Sequence, residues 1–221
     1  INSMFSFQFA GLNNEGLPQF INKDGEVASV LDFQNNENLT DYLKHEGSVN
    51  PNISVGFSNN FTYKNWDLGV LITGSGGNKV RLNPVFNSTY SDTSIFSKSH
   101  VNRWLNPGDE NITNIPVVPD PSAFQRNANL RTVYNAYNYS TERVADGDFL
   151  RMKNISLGYK FNNELVEKLG LSHLKVKFQG TNLFLLYSDS KLNGQDPEFF
   201  QTGGVALPIT RQYTFSLNLG F

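Results

Sequence analysis

The last twelve residues, Thr210–Phe221, constrain this chain more than any other stretch. Tyr213, Phe215, Leu217, Leu219 and Phe221 take every second place, with Gln212, Thr214, Ser216, Asn218 and Gly220 between them. Successive side chains of an extended chain point to opposite sides, so this alternation describes a strand with one apolar and one polar face. The strand closes on an aromatic, where the end of a soluble domain more often frays in polar residues. Two settings suit such a face. A second sheet can bury it, as in a soluble β-sandwich, or lipid can, with the polar face turned to a water-filled lumen.

The same pattern recurs upstream. Phe5, Phe7 and Phe9 alternate with Ser6 and Gln8. Ile53, Val55, Phe57, Phe61 and Tyr63 share a face, and after the two-residue break Lys64-Asn65 the alternation resumes in Trp66, Leu68, Val70 and Ile72, which reads as a hairpin. A fourth strand starts near Asp148 and carries Ile155, Leu157, Tyr159 and Phe161. Leu174, Val176 and Phe178 mark a fifth, and Thr210–Phe221 is the sixth. Short helices are expected at Ser94–Leu105, with Ser94 as N-cap and Asn106-Pro107-Gly108 as stop, and at Asn162–Leu169 before Gly170. Pro116, Pro119 and Pro121 are expected to keep their stretch extended. The expected fold class is all-β.

The connections alternate in length. Long segments at about 11–51, 82–147 and 188–208 separate strands one and two, three and four, and five and six, while strands two and three and strands four and five are joined by short turns. Transmembrane barrels have short periplasmic turns and long outer loops. On that reading Phe221 lies at the periplasmic rim and the three long segments face outside. Six strands are too few to close, since the smallest membrane barrels have eight, and open edges in lipid leave amides unpaired. The chain is therefore expected to be a segment of a larger antiparallel barrel. Ile1-Asn-Ser-Met-Phe5 shows neither a basic n-region nor a small-residue cleavage site, so no signal peptide is expected within it.

Composition narrows the function. With 18 Phe and 9 Tyr, and charged residues at only 17% against the usual quarter, the chain favours strands. Its net charge of −2 offers no basic patch for nucleic acid. There is no cysteine, which removes disulfides and thiolate chemistry. His45, His100 and His173 are isolated, and no GxSxG elbow occurs. Asp146-Gly-Asp148 and Asp189–Gly194 have the look of calcium loops, but the second has Phe200 where an EF-hand needs Glu. Turn chemistry at strand ends accounts for both. No catalytic, metal or cofactor site is expected, and the chain does not read as an enzyme. Trp104, Tyr134, Tyr137 and Tyr139, in the second long segment, are the candidates for substrate contact by stacking, or for packing within their own loop.

Beyond these patterns lies a family resemblance. Arg143-Val-Ala-Asp-Gly-Asp-Phe-Leu-Arg-Met-Lys-Asn-Ile-Ser-Leu-Gly-Tyr159 resembles the ADGSFLRLRNISLSY-type signature of SusC/RagA-like TonB-dependent transporters. Gly180-Thr-Asn-Leu-Phe184 resembles their GxNLF strand and Asp196-Pro-Glu198 their DPE loop. Arg211–Phe221 resembles their RTYTFGLNLxF terminus. Ala10-Gly-Leu12, Gly77–Arg81, Arg103-Trp104 with Pro107-Gly-Asp109, and Asn114-Ile-Pro116 fit the same family. The resemblance implies about six C-terminal strands of a 22-stranded outer-membrane barrel in a Gram-negative, Bacteroidetes-type bacterium. A plug and a TonB box would lie outside these 221 residues. It further implies import of oligosaccharides or peptides, a SusD-like surface lipoprotein and TonB as partners, and Tyr213, Phe215, Leu217, Leu219 and Phe221 as the signal for the outer-membrane assembly machinery. The alternative reading is a soluble β-sandwich that binds carbohydrate.

Overall fold

The computed structural model describes residues 2–28, 33, 38–86, 96, 98–127, 129–202 and 209–221. Its strands are β1 (Ser3–Phe7), β2 (Phe9–Leu12), β3 (Pro18–Ile21), β4 (Val27–Ala28), β5 (Leu43–Ser48), β6 (Ile53–Tyr63), β7 (Trp66–Gly76), β8 (Lys79–Arg81), β9 (Val144–Asp146), β10 (Phe149–Lys160), β11 (His173–Ser188) and β12 (Gln212–Gly220). Its α-helices are α1 (Pro121–Arg126), α2 (Leu130–Asn138) and α3 (Asn163–Lys168). The chain divides into two compact units, Ile1–Val49 with Arg81–Ala145, and Asn50–Val80 with Asp146–Phe221.

The second unit is one antiparallel sheet in the order β12-β11-β10-β7-β6. Period-two sequences pair so that like faces align, and the register shows it. Phe61, Leu68, Leu157, Phe178 and Phe215 form one row across all five strands, and Tyr63, Trp66, Tyr159, Val176 and Leu217 the next. On the opposite face Asn60, Gly69, Ser156, Gln179 and Thr214 align in the same way. β6 and β7 are joined by Lys64 and Asn65, with Lys64 at φ 52, a left-handed conformation that closes the hairpin in two residues. β10 and β11 are joined through α3. Gly170, at φ +71, ends α3, with the N–H of Leu171 bonded to the carbonyl of Val166 at 3.0 Å, a Schellman closure. Asn154 pairs with Thr181 and Met152 with Phe184, so Asn182 and Leu183 form a bulge opposite Lys153. Asn182 takes φ 54 there, which Asn tolerates better than most residues.

Five strands make this sheet among the described residues, where the alternation suggested six. The Phe5–Phe9 stretch does form strands, but β1 pairs with β5 and β2 with β3 in the first unit. Alternation announces a two-faced strand and is silent on its partner. Phe7 lies 5.7 Å from Phe33 and Phe9 lies 5.5 Å from Tyr137, ring to ring, so this apolar face is taken up by a core.

That core belongs to the first unit, and most of it comes from the long segments. Phe20, Phe33, Tyr42, Val85, Phe86, Val133, Tyr134 and Tyr137 are buried together. α2 contributes Leu130, Val133, Tyr134 and Tyr137, the i, i+3, i+4, i+7 spacing of an amphipathic helix. α1 opens on Asp120, whose carboxylate accepts the N–H of Ala123 at 2.9 Å, with Pro121 at the first helical position, where its missing N–H costs nothing. This stretch was expected to stay extended. The Asp-Pro pair was a legible start signal, and the proline begins a helix here rather than preventing one. Of the helix expected at Ser94–Leu105, the described part is a 3-10 turn over Lys98–Asn102. Ser94 lies outside the described residues.

Gly16 sits at φ +74, and a Cβ there would lie 2.5 Å from the Trp104 ring. Gly25 has a similar φ of +82 but open space around it. Gly16→Ala is therefore expected to cost both backbone strain and a clash with a packed ring, roughly 2–4 kcal/mol, and Gly25→Ala only the strain, about 1–2 kcal/mol. Hydrogen exchange of residues 13–17 and 104–117 in the intact protein should accelerate strongly in the first variant and much less in the second.

Candidate functional site

The last strand presents its residues as the alternation requires. Phe215 is 67% exposed, Leu217 55% and Phe221 94%, and Tyr213 and Leu219 are exposed beside them. Phe178 of β11 stacks on Tyr213 at 6.2 Å, continuing the apolar surface onto the next strand. At the turn end of the sheet Trp66 lies 4.6 Å from Tyr159, and Tyr159 5.0 Å from Phe161. Amphipathic rings of this kind collect at the rims of transmembrane barrels. No helix of the described residues is long and apolar enough to cross a membrane, which says nothing about crossing with strands.

The polar face holds a buried ion cluster. Arg151 of β10 pairs with Asp196, and its Nε lies 3.0 Å from Glu198. That second contact is close but misaligned for a hydrogen bond, so it acts as an ion pair. The side chains of Arg151 and Asp196 are only 7% and 10% exposed, a depth at which an unpaired charge is costly. Phe149 backs the guanidinium at 5.7 Å. The segment after β11 is thereby latched to the sheet. Asp189 caps its first turn by accepting the N–H of Lys191 at 2.9 Å and reaches the N–H of Asp146 at 2.8 Å, and Leu192 is buried beneath. Asp146 pairs with Lys79, and Asp148 accepts the N–H of Gly77 at 2.8 Å. The carboxylates of both calcium-like loops thus cap turns and bind lysine. Arg151, Asp196 and Glu198 were visible in the sequence as parts of separate motifs. That they meet was not, because 45 residues separate the partners.

The four loop aromatics fall into two groups. Trp104 is buried, and its indole N–H donates to Glu110 at 2.9 Å. Tyr134 and Tyr137 are buried with their hydroxyls donating to the carbonyls of Val117 and Asn114, at 2.7 and 2.9 Å. Burial pushes the Tyr137 phenol well above its ordinary range. Tyr139 is half exposed, with the Arg81 guanidinium 5.3 Å above its ring. Arg81 is tied to the Phe5 carbonyl and the Ser6 hydroxyl at 2.7 and 2.9 Å, and burial works against its charge. Tyr139 also lines a cavity of about 250 Å³ with Phe86, Phe124, Arg131, Tyr134 and Asn135. Among the described residues no group of three or more His, Cys, Asp or Glu is placed to hold a metal.

No family model matches the chain. Curated proteins do. TonB-dependent receptor P3 of Formosa agariphila is 28% identical over 206 residues, covering 90% of this chain and 18% of the receptor. TonB-dependent receptor P26 of the same bacterium is 31% identical over 190 residues, 79% of this chain and 17% of the receptor. Among solved structures, the RagAB peptide transporter matches 99% of this chain with a TM-score of 0.68 at 22% identity. The RagAB peptide importer in its closed-closed state does so at 0.71. The chain is SusC/RagA-like. It spans less than a quarter of each of these relatives, 17–18% of the two receptors and 22–23% of the two RagAB chains. All four are named as receptors, transporters or importers. In this SusC/RagA-like chain the Arg151 latch joins two of the motifs by which the family was recognised, the FLR strand and the DPE loop.

Arg151→Ala would leave the Asp196 carboxylate buried and unpaired, and is expected to destabilise residues 189–199 locally by about 3–5 kcal/mol. Limited proteolysis should then cut that segment in the variant and spare it in the parent. Glu110 offers a pH test. The Trp104 indole and the N–H of Gly108 hold its carboxyl below the ordinary value of 4.5. A depressed carboxylate contributes stability at higher pH and loses it as the pH falls through the folded value. Trp104 fluorescence, read with Trp66 replaced by Phe, should therefore change in a transition below pH 4.5 that Glu110→Gln abolishes.

Proposed function

We propose that this chain is a stretch of barrel wall from a SusC/RagA-like TonB-dependent transporter in the outer membrane of a Gram-negative, Bacteroidetes-type bacterium. The observation that carries the reading is the apolar face of the five-stranded sheet, continuous from Phe61 to Phe215, with Phe61, Leu157, Phe178 and Phe215 exposed and Leu68 among them half-buried. A soluble protein rarely leaves so large an apolar surface open. A β-sandwich would cover it with a second sheet, yet Phe215 and Leu217 remain more than half exposed, which argues against the soluble carbohydrate-binding alternative. Lipid is the medium such a face fits. The aromatic cluster at the Lys64-Asn65 turn then marks the periplasmic rim, and segments 11–51, 82–147 and 188–208 open from the outer ends of the strands. The terminal strand, Tyr213 to Phe221, serves as the signal for the assembly machinery.

In this reading the whole protein imports oligosaccharides or peptides, energised through TonB, under a SusD-like surface lipoprotein. Support for a two-protein importer comes from the RagAB structures, which are described as a peptide transporter and importer. At 22% identity that likeness is one of fold, and either cargo class is compatible with it.

The chain has no cysteine, so single-cysteine labelling tests the wall directly. In intact protein in outer membranes, a water-soluble maleimide should label Thr214→Cys and Ser216→Cys and spare Phe215→Cys and Leu217→Cys. Equal labelling of all four overturns the reading. Purification of the full-length protein should bring down a surface lipoprotein, and mass spectrometry of the bound ligand then decides between glycan and peptide.

A further inference from the structure

Beside its core stripe, α2 carries a polar one. Arg131, Asn135 and Asn138 recur at i, i+4 and i+7, and with Tyr139 just past the helix end they line the cavity of about 250 Å³. The walls of this cavity are fixed. Asn138 is spent on the backbone opposite: its side-chain carbonyl accepts the N–H groups of Val85 and Phe86 at 3.0 and 3.2 Å, and its amide donates to the Phe86 carbonyl at 2.8 Å. Phe86 and Phe124 meet Tyr134 edge to face at 4.9 and 6.2 Å. Arg81 holds the Tyr139 ring from 5.3 Å. The mouth differs from the walls. Arg131, Asn135 and Tyr139 are exposed there. Arg131 lies over the Phe124 ring at 5.9 Å, and no carboxylate pairs with it among the described residues. Nor, among those residues, do the Asn135 amide and the Tyr139 hydroxyl have a hydrogen-bond partner. The cavity lining contains no Asp or Glu among the described residues. Three unspent polar groups, one of them cationic, therefore converge above an aromatic floor.

We propose that this cavity is a cargo subsite for a carboxylate-bearing group, carried on a uronic acid ring or on the C-terminal residue of a peptide. The proposal rests on the transporter reading, in which segment 82–147 opens to the outside. Arg131 takes the carboxylate, because a guanidinium presents parallel N–H donors that match its two oxygens. Asn135, one turn along the helix, adds an amide donor, and Tyr139 adds a hydroxyl. Phe86, Phe124 and Tyr134 take the flat or apolar part of the same group. Pockets for whole small molecules begin at about 300 Å³, so a cavity of about 250 Å³ admits one residue of a polymer and not a run of them. Because the bonds of Asn138 hold the walls in place beforehand, little ordering remains to oppose binding. A neutral residue gains the aromatic floor but leaves the Arg131 charge unanswered, which makes the subsite selective for acidic cargo.

The test is calorimetric titration of the purified full-length protein with two matched pairs of probes. One pair is trigalacturonate and its methyl ester, the other an acetylated Ala-Ala-Phe tripeptide and its C-terminal amide. At least one acid should bind more tightly than its neutral partner. Arg131→Gln should weaken that acid roughly tenfold and leave the neutral partner unchanged. Arg126→Gln should change neither, since Arg126 is an exposed arginine of α1 that faces Asp120 at 3.8 Å. Discrimination within the uronate pair marks an acidic glycan as the source of the carboxylate, and within the peptide pair a free peptide terminus. If neither acid binds better than its neutral partner up to millimolar concentration, the subsite is overturned and the barrel stands. The same holds if Arg131→Gln and Arg126→Gln behave alike. Failure of the maleimide pattern on β12 brings down the transporter reading instead, whatever the titrations show.

Discussion

A backbone amide in hydrocarbon has no water to bond, so a strand in lipid must be hydrogen-bonded along both edges. In the barrel reading, most of what is distinctive in the second unit depends on that constraint. Among the described residues its inner strands β7, β10 and β11 are paired on both sides, and β6 and β12 on one only. In the barrel reading these two edges are the places where further strands attach. The constraint also demands long, regular ladders, and β6, β7, β10 and β11 run for 11, 11, 12 and 16 residues. Irregularity is concentrated in the outer half of β10 and β11, at Leu150/Arg151, at Lys153 and at Asn182, where an Asn can take the left-handed backbone.

With the backbone satisfied inside the sheet, the side chains are free to serve two media. The apolar rows need only be apolar, and they are a mixture of Phe, Leu, Ile, Val, Tyr and Trp. Specific geometry is concentrated on the other face and at the strand ends. Arg151 is clasped by Asp196 and Glu198, and Lys175 crosses Gly158 to reach Asp67. Such contacts hold the following segment against the sheet and order its polar face. The first unit does the opposite and builds an ordinary buried core around Phe20, Phe33, Val133 and Tyr137.

How much of this was legible depended on the range of the interaction. Strand identity is local, since period-two alternation is set by the geometry of one extended segment, and β6, β7, β10, β11 and β12 were all visible. The Phe5–Phe9 strand was visible too, but its partner was not, because pairing is a long-range choice that Phe33 and Tyr137 made. The helices at Pro121 and Leu130 carried readable signals in Asp120-Pro121 and in the spacing of Leu130, Val133, Tyr134 and Tyr137. The nearby prolines masked them. Trp104, Tyr134 and Tyr137 drew attention as aromatics in a loop. Whether a ring in a long segment faces solvent or a core is decided by what folds over it, and here three indole or phenol groups found partners inside.

By itself the sequence of Thr210–Phe221 determined that the chain ends in a two-faced strand, because side-chain direction alternates along any extended backbone. Together with the ordered motifs it also determined the family. Tertiary structure alone decided which medium each face could meet, since only the assembled sheet shows Phe215 and Leu217 left uncovered. It alone brought Arg151 to Asp196 and set Lys160 against Lys175, because charge pairing depends on distances in space that spacing along the chain does not contain.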